Sequence, residues 1–253
     1  MKLRTCFSPV CISLLLLAGC AAETAEETPG QAAAPEEAAA RLEARIADGA
    51  ETGELLLAGE DGRLYALSVR ETPVTLDGSE AAGTDLRDGM RVTVCHSGSI
   101  QETYPARFGA VSALEAESGG TEDRCGLYLR VLEDLWNTDS GLNDGITQMG
   151  MDLSQVTDLT QGEKAAVIWR FGENRGLAPI QGTFDELAEA GYIDREHLVW
   201  KDGVLFTLSG SAEEGFDAEK WRSGTGAYFF TNCIAKAEDS GAWDYAVGAE
   251  AVS

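Results

Sequence analysis

The side chains best suited to catalysis or metal binding are few in this 253-residue chain and widely spaced. Its two histidines are His96 and His197. Cys95 directly precedes His96, and neighbouring residues of a β-strand point to opposite faces, so this pair does not predict a nucleophile–base dyad. The sequence contains no Gly-x-Ser-x-Gly elbow and no His-Glu-x-x-His motif. We therefore predict no catalytic residue, no metal ligand and no cofactor.

Carboxylates are abundant, with 43 Asp and Glu against 19 Lys and Arg, which gives a net charge of -24. Such a surface repels phosphate backbones and anionic headgroups, which argues against a nucleic acid partner. Two carboxylates could serve a glycosidase, but spacing alone does not identify a pair in so acidic a chain. Solubility is the simpler interpretation of the charge.

The tryptophans are confined to the second half of the chain, and one of them lies between two cations. Trp221 is flanked by Lys220 and Arg222, in a chain that is otherwise strongly anionic. Because Trp and Arg are enriched at binding hot spots, we predict a ligand-binding site here, completed by Tyr228 and Trp243. In the alternative interpretation, Trp221 anchors a segment into the core while Lys220 and Arg222 pair with carboxylates.

A loop rich in Asp, Asn and Gly spans residues 139–145. It departs from the EF-hand pattern, because Gly141 stands at the third position and Asp144 replaces the glycine at the sixth. Turn formation explains the same residues. A calcium site of another kind near Asp139 and Asp144 stays open as an alternative.

The N-terminus has the features of an export signal. Lys2 and Arg4 precede an apolar run from Val10 to Ala18, and the run ends at Leu17-Ala18-Gly19-Cys20. This ending resembles the lipobox of bacterial lipoproteins. The resemblance implies that residues 1–19 are a signal peptide, and that Cys20 carries a lipid on the outer face of the cytoplasmic membrane. Residues 20–40 contain mostly Ala, Glu, Thr and Pro, and predict a disordered acidic tether.

Three cysteines remain once those of the signal segment and the lipidation site are set aside: Cys95, Cys125 and Cys233. An exported protein can form a disulfide, and Cys125 and Cys233 are the better pair because they belong to the same predicted domain. Both lie in apolar patterns, so two buried free thiols are an equally good interpretation.

Residues 41–116 predict a small all-β domain of five or six short strands separated by Gly and Asp turns. The motif Asp85-Leu86-Arg87-Asp88-Gly89-Met90-Arg91-Val92-Thr93-Val94, followed by Gly98 to Ala106 with Tyr104-Pro105-Ala106, resembles the YobA-like small secreted domain of Gram-positive bacteria. That resemblance implies an oligonucleotide/oligosaccharide-binding (OB)-like barrel and supplies no activity.

A linker at 117–124 precedes an α+β domain at 125–253. Apolar residues from Leu127 to Trp136 recur with helical spacing, and capping boxes at Thr160 and Thr183 predict two further helices. Two hairpin patterns follow, one around residues 201–203 and one around 238–241, so we expect an antiparallel meander. The segment 220–230 resembles a stretch of uncharacterised clostridial lipoproteins.

These features together predict a lipid-anchored, non-catalytic protein of the Gram-positive cell envelope. The second domain would bind a wall glycan or peptide, or another envelope protein. The first alternative is a carboxylate-based hydrolase acting on cell-wall glycan or peptide. The second alternative is a structural spacer in a lipoprotein complex.

Overall fold

Two mixed β-sheets and three α-helices make up the part of the chain that the computed structural model describes, residues 40–253. These residues belong to one compact unit. The predicted signal peptide, the lipidation site at Cys20 and nearly all of the predicted tether lie outside the described residues. The first strand begins at Ala40, which is the last residue of the predicted tether.

The first sheet has nine strands: β1 Ala40–Asp48, β2 Glu54–Gly59, β3 Leu64–Ser68, β4 Val74–Leu76, β5 Ser79–Ala81, β6 Arg91–His96, β7 Ile100–Gln101, β8 Ala106–Phe108 and β9 Val111–Glu117. Their order is β5-β4-β9-β6-β1-β2-β3-β8-β7. The prediction of an all-β first half is confirmed, with more strands than expected. The order ends at β5 and β7, so the sheet is open and a closed OB-like barrel is not observed within residues 40–253.

Alternation along the strands gives this sheet its own core. Ala44 and Ile46 on β1 and Val92 and Val94 on β6 point inward, while the residues between them point away, as the period of two requires. The inward side chains pack in one apolar cluster with residues such as Leu114 on β9. Burial of these inward side chains sets the register of β1 against β6, because a shift of one residue would turn them to the other face of the sheet.

The helices are α1 Arg124–Asn137, α2 Gln161–Glu173 and α3 Phe184–Glu189. All three helices lie where the sequence patterns predict them. The buried residues of α1 repeat at helical spacing from Leu127 to Leu135. Thr160 and Thr183 cap α2 and α3, and in each case the glutamate three residues later accepts a hydrogen bond from the threonine backbone N–H at 2.8 Å.

The second sheet contains β10 Gln148–Val156, β11 Ile180–Gln181, β12 Gly203–Ser211, β13 Gly215–Ser223, β14 Gly226–Ala237, β15 Trp243–Ala246 and β16 Ala249–Val252. Strands β12 to β15 form the predicted antiparallel meander, and the hairpin around residues 238–241 is confirmed. The prediction of a wholly antiparallel sheet is wrong, because β10 pairs in parallel with both β11 and β12.

The hairpin predicted around residues 201–203 is also wrong. The turn is present, but residues 197–200 do not form a strand that pairs with β12. Leu198 adopts a left-handed conformation at φ 48°, which interrupts an extended segment. Strand β12 pairs instead with β10 and β13, and no local sequence pattern predicts β10 as a strand.

Helices α1 and α2 pack between the two sheets. Their apolar side chains share one core with the second sheet and with Ala47, Leu56, Ala58 and Leu64 of the first sheet. Strand β9 ends at Glu117 and α1 begins at Arg124, so residues 118–123 connect the first sheet to the helical layer. The contact between α2 and β2 is close: a Cβ on Gly162 would lie 2.8 Å from the Gly59 carbonyl oxygen.

Candidate functional site

The two faces of the second sheet are covered differently. One face, here called the helix face, packs against α1 and α2 through side chains such as Phe206 and Ala218. The opposite face is partly covered by α3 and the segment that follows it, where Leu187, Ile193 and Trp200 cluster with Leu205. We call this opposite face the open face, because beyond this cluster it presents polar and aromatic side chains from β10, β12, β13 and β14.

The predicted site at Lys220, Trp221 and Arg222 is divided between these faces, because all three residues lie on β13 and alternate. Lys220 is fully buried on the helix face. Its Nζ donates to the carbonyl oxygens of Trp136 at 3.3 Å and Asp139 at 3.1 Å, and also to that of Thr138. Burial lowers the pKa of this ammonium to about 8. Lys220 therefore holds the C-terminal end of α1 and is not available to a ligand.

Arg222 has a comparable structural role. Its Nη1 donates to the carbonyl oxygens of Leu142 at 3.0 Å and Asp144 at 2.8 Å, and its Nη2 donates to that of Lys201 at 3.2 Å. Both cations thus bind backbone carbonyls, whereas the alternative interpretation expected carboxylates. Together they fix residues 136–144. Within residues 40–253 no group of three or more His, Cys, Asp or Glu side chains is arranged to hold a metal ion.

Tyr228 and Trp243 do not join Trp221 either. Tyr228 pairs in register with Lys220, so it points to the helix face, and its hydroxyl donates to Glu250 at 2.5 Å. Trp243 is buried, and its ring lies under the Arg124 guanidinium at 5.7 Å. The prediction of one five-residue site is therefore wrong. The alternation of β13 and the burial of Trp243 separate its members.

Trp221 is the one predicted ligand residue that reaches the open face. It is half-buried, and its ring meets Phe184 of α3 edge to face, with centroids 5.0 Å apart. The contact holds the indole in place at the border between the covered and the uncovered part of the face. A ring fixed in this way loses little conformational entropy when a ligand packs on it.

Four residues that the sequence analysis missed form a row beside Trp221. Asp152, Thr207, Glu219 and Phe229 are successive cross-strand partners on β10, β12, β13 and β14, so their side chains share the open face. All four are half-buried. We call this set the open-face row. The sequence signal was the spacing of Glu219 and Trp221, two residues apart, but it has this meaning only once β13 is known to be a strand.

Glu219 is electrostatically the most unusual member of the row. Burial alone raises its pKa, and within residues 40–253 its carboxylate makes no hydrogen bond and no ion pair. Asp217 lies two residues before it on the same face and accepts a hydrogen bond from the Asn232 backbone N–H at 2.7 Å. A hollow of about 420 Å³ adjoins Asp217, lined also by Ser209 and Asn232. The row thus combines a desolvated carboxylate with aromatic surface, and the hollow at Asp217 lies two residues before Glu219 on the same strand.

The three cysteines of the described chain, Cys95, Cys125 and Cys233, are all buried free thiols. This is the second of the two interpretations given above, and the pairing of Cys125 with Cys233 is not observed. Burial raises the pKa of each thiol. Cys95 Sγ lies 3.4 Å from Arg41 Nη1, whereas His96 Nδ1 accepts a hydrogen bond from the Gly98 backbone N–H at 3.1 Å, so Cys95 and His96 have separate partners.

Comparisons with known proteins identify no relative. No protein-family profile matches the chain, and no curated protein or solved structure matches it. Among the described residues, no helix is long and apolar enough to cross a membrane.

Proposed function

We propose that this protein is a lipid-anchored, non-catalytic component of the Gram-positive cell envelope that binds cell-wall glycan on its open face. The lipobox-like ending Leu17 to Cys20 supports the anchor and the location on the outer side of the cytoplasmic membrane. The resemblance of residues 85–106 to the YobA-like domain supports treating the first sheet as an opened variant of an OB-like barrel.

The observation that carries the binding proposal is the placement of Trp221 beside the open-face row. An indole face packs well on the apolar side of a sugar ring, and carboxylate and hydroxyl oxygens accept hydrogen bonds from sugar hydroxyl groups. Trp221 and Phe229 supply the aromatic surface, while Asp152, Thr207 and Glu219 supply the acceptors. The row contains no basic residue, which favours a hydroxyl-rich ligand over an anionic one.

Co-sedimentation with purified cell-wall sacculi tests this proposal. The protein would be residues 20–253 with Cys20→Ser, so that no lipid is attached. We expect the wild-type protein in the pellet, and we expect Trp221→Ala to weaken binding about tenfold or more, as for a truncated aromatic anchor. Trp169→Ala is the matched control, because Trp169 is also half-buried but lies on α2, away from the open face.

Circular dichroism would show that both variants keep the fold. Equal binding by folded Trp221→Ala and wild-type protein would contradict the proposed site. Absence of the wild-type protein from the pellet would reject wall binding and direct attention to an envelope protein partner.

The second candidate is hydrolysis of wall glycan, and the desolvated carboxyl of Glu219 specifically favours it. A glutamic acid with a raised pKa can donate a proton to the leaving glycosidic oxygen, while a second carboxylate removes a proton from the attacking water. Asp217 and Glu219 lie on the same face of β13, two residues apart, which corresponds to about 6.6 Å along the backbone of a regular strand. Inverting glycosidases separate their two carboxyl groups by roughly 6.5–9.5 Å.

Mass spectrometry of the same supernatants separates the two candidates. Soluble saccharide fragments released by the wild-type protein, but not by Glu219→Gln, would establish hydrolysis. Binding without release, in wild type and Glu219→Gln alike, would establish a binding protein. Asp244→Asn, an exposed carboxylate change on β15, is the control for loss of charge.

A further inference from the structure

Another cavity of the described chain lies outside the open face, between the first sheet and helices α1 and α2. It measures about 610 Å³ and adjoins a second hollow of about 510 Å³. Glu51, Asp88, Asp123 and Ala242 line both spaces. We call the combined space the junction cleft, because it follows the line where residues 118–123 join the two halves of the chain.

Backbone hydrogen bonds hold residues 118–123 against both halves of the chain. The Glu122 N–H donates to the Gly89 carbonyl oxygen at 3.2 Å, and the Asp123 N–H donates to that of Gly241 at 2.8 Å. Gly89 has φ +85°, and a Cβ there would lie 2.5 Å from the Asp123 nitrogen. The turn that carries Asp88 is therefore pressed directly against the start of α1, so Asp88 and Asp123 approach each other across the joint.

Both carboxylates also have structural partners that fix their positions. Asp88 Oδ1 accepts the Ala50 backbone N–H at 3.0 Å, and Asp123 Oδ1 caps α1 by accepting the Gly126 N–H at 2.8 Å. Neither side chain can turn away without losing a hydrogen bond. Their mutual repulsion is therefore retained in the folded state.

The charged groups around Asp88 come from every neighbouring element. Asp48 of β1 and Glu51 of the following turn face it from the first sheet, and Asp123 faces it from the start of α1. Glu54 of β2, Glu133 and Arg130 of α1, Arg170 of α2 and Arg87 of its own turn line the rest of the cleft.

The cations of the cleft compensate these carboxylates only in part. Arg170 is engaged by Asp48 and Glu173. Within residues 40–253, Arg87 and Arg130 make no ion pair. Burial raises the pKa of Asp88 to about 6, with Asp123, Asp48 and Glu51 contributing, and burial likewise raises the pKa of Asp123.

We propose that the junction cleft is a pH-responsive joint, which tightens when Asp88 and Asp123 take up protons and loosens when both are ionised. This inference concerns the coupling of the two halves of the chain and does not rest on the proposed wall binding. It assigns a role to the carboxylates that the open face does not use.

The direction of the effect follows from linkage. The folded state holds the Asp88 proton more tightly than the unfolded chain does, because its pKa is about 6 instead of 3.8. Stability is therefore highest below the ordinary pKa, falls as the pH rises through the interval between the two values, and stays at the lower level above pH 6. Each pH unit inside that interval changes the unfolding equilibrium up to tenfold for one fully shifted group.

The test compares two proteins, each consisting of residues 20–253 with Cys20→Ser. One has the wild-type Asp88 and the other carries Asp88→Asn. Asparagine keeps the oxygen that accepts the Ala50 N–H and removes the ionisation. Urea unfolding between pH 4.5 and 8 should show an unfolding constant that rises about tenfold or more in the wild type, and clearly less in Asp88→Asn. Hydrogen–deuterium exchange of residues 85–92 and 118–126 should be slower in the variant than in the wild type at pH 8, and equal in both at pH 4.5.

Two further variants make the outcome decisive. Asp202→Asn removes an exposed turn carboxylate outside the cleft and should keep the wild-type pH dependence. Glu51→Gln also removes a carboxylate of the cleft, and it should not disturb folding because Glu51 is exposed. It therefore replaces Asp88→Asn in the test if Asp88→Asn does not fold. The proposal is overturned if Asp88→Asn, or Glu51→Gln in its place, shows the same pH dependence and the same exchange at the joint as Asp202→Asn.

Discussion

Replacement of Gly89 by alanine tests the claim that the turn before β6 is pressed against the start of α1. Gly89 has φ +85°, a region that costs a residue with a Cβ about 1–2 kcal/mol. The new Cβ would lie 2.5 Å from both the Asp123 nitrogen and the Glu122 carbonyl carbon. Such overlap with backbone costs about 1–3 kcal/mol, and displacement would also weaken the Glu122 N–H bond to Gly89, worth about 1 kcal/mol.

The expected total loss of unfolding free energy is therefore about 3–6 kcal/mol. Gly78→Ala provides a matched control, because Gly78 has φ +78° and no atom within 4 Å of its added Cβ. It should cost only the conformational part, about 1–2 kcal/mol. Urea unfolding monitored by tryptophan fluorescence measures both values. Equal losses for Gly89→Ala and Gly78→Ala would refute the close packing at the joint.

Three further predictions concern buried groups and helix starts. Lys220→Met leaves three backbone carbonyls without their donor and should lower the unfolding free energy by about 2–4 kcal/mol, measured by urea titration; unchanged stability would contradict the capping role. Thr160→Ala should cost about 1 kcal/mol in thermal unfolding, whereas Thr160→Ser should cost much less. Cys95, Cys125 and Cys233 should react with iodoacetamide only after denaturation, and a native mass two hydrogens short would instead reveal a disulfide.

Local signals in the sequence predicted local structure well. The capping boxes located α2 and α3, and the apolar spacing from Leu127 onward located α1. These features depend on residues three or four apart, which interact wherever the segment is placed. The parallel strand β10 was missed because its partners β11 and β12 lie far away in the chain, and nothing near Gln148 indicates them.

Proximity in sequence did not translate into a common site. Lys220, Trp221 and Arg222 are consecutive, yet the pleat of β13 sends the two cations to the helix face and the indole to the open face. The open-face row shows the reverse case. Asp152, Thr207, Glu219 and Phe229 are spread over 78 positions of the sequence and become neighbours only through strand pairing.

The helix starts, the β-rich first half and the acidic charge follow from the sequence alone, because each of these depends on composition or short spacing. Tertiary packing, by contrast, buries Lys220, desolvates Glu219 and brings Asp88 and Asp123 to the same cleft. The physical reason is that burial and electrostatic environment depend on long-range packing, which brings together segments that no local pattern connects.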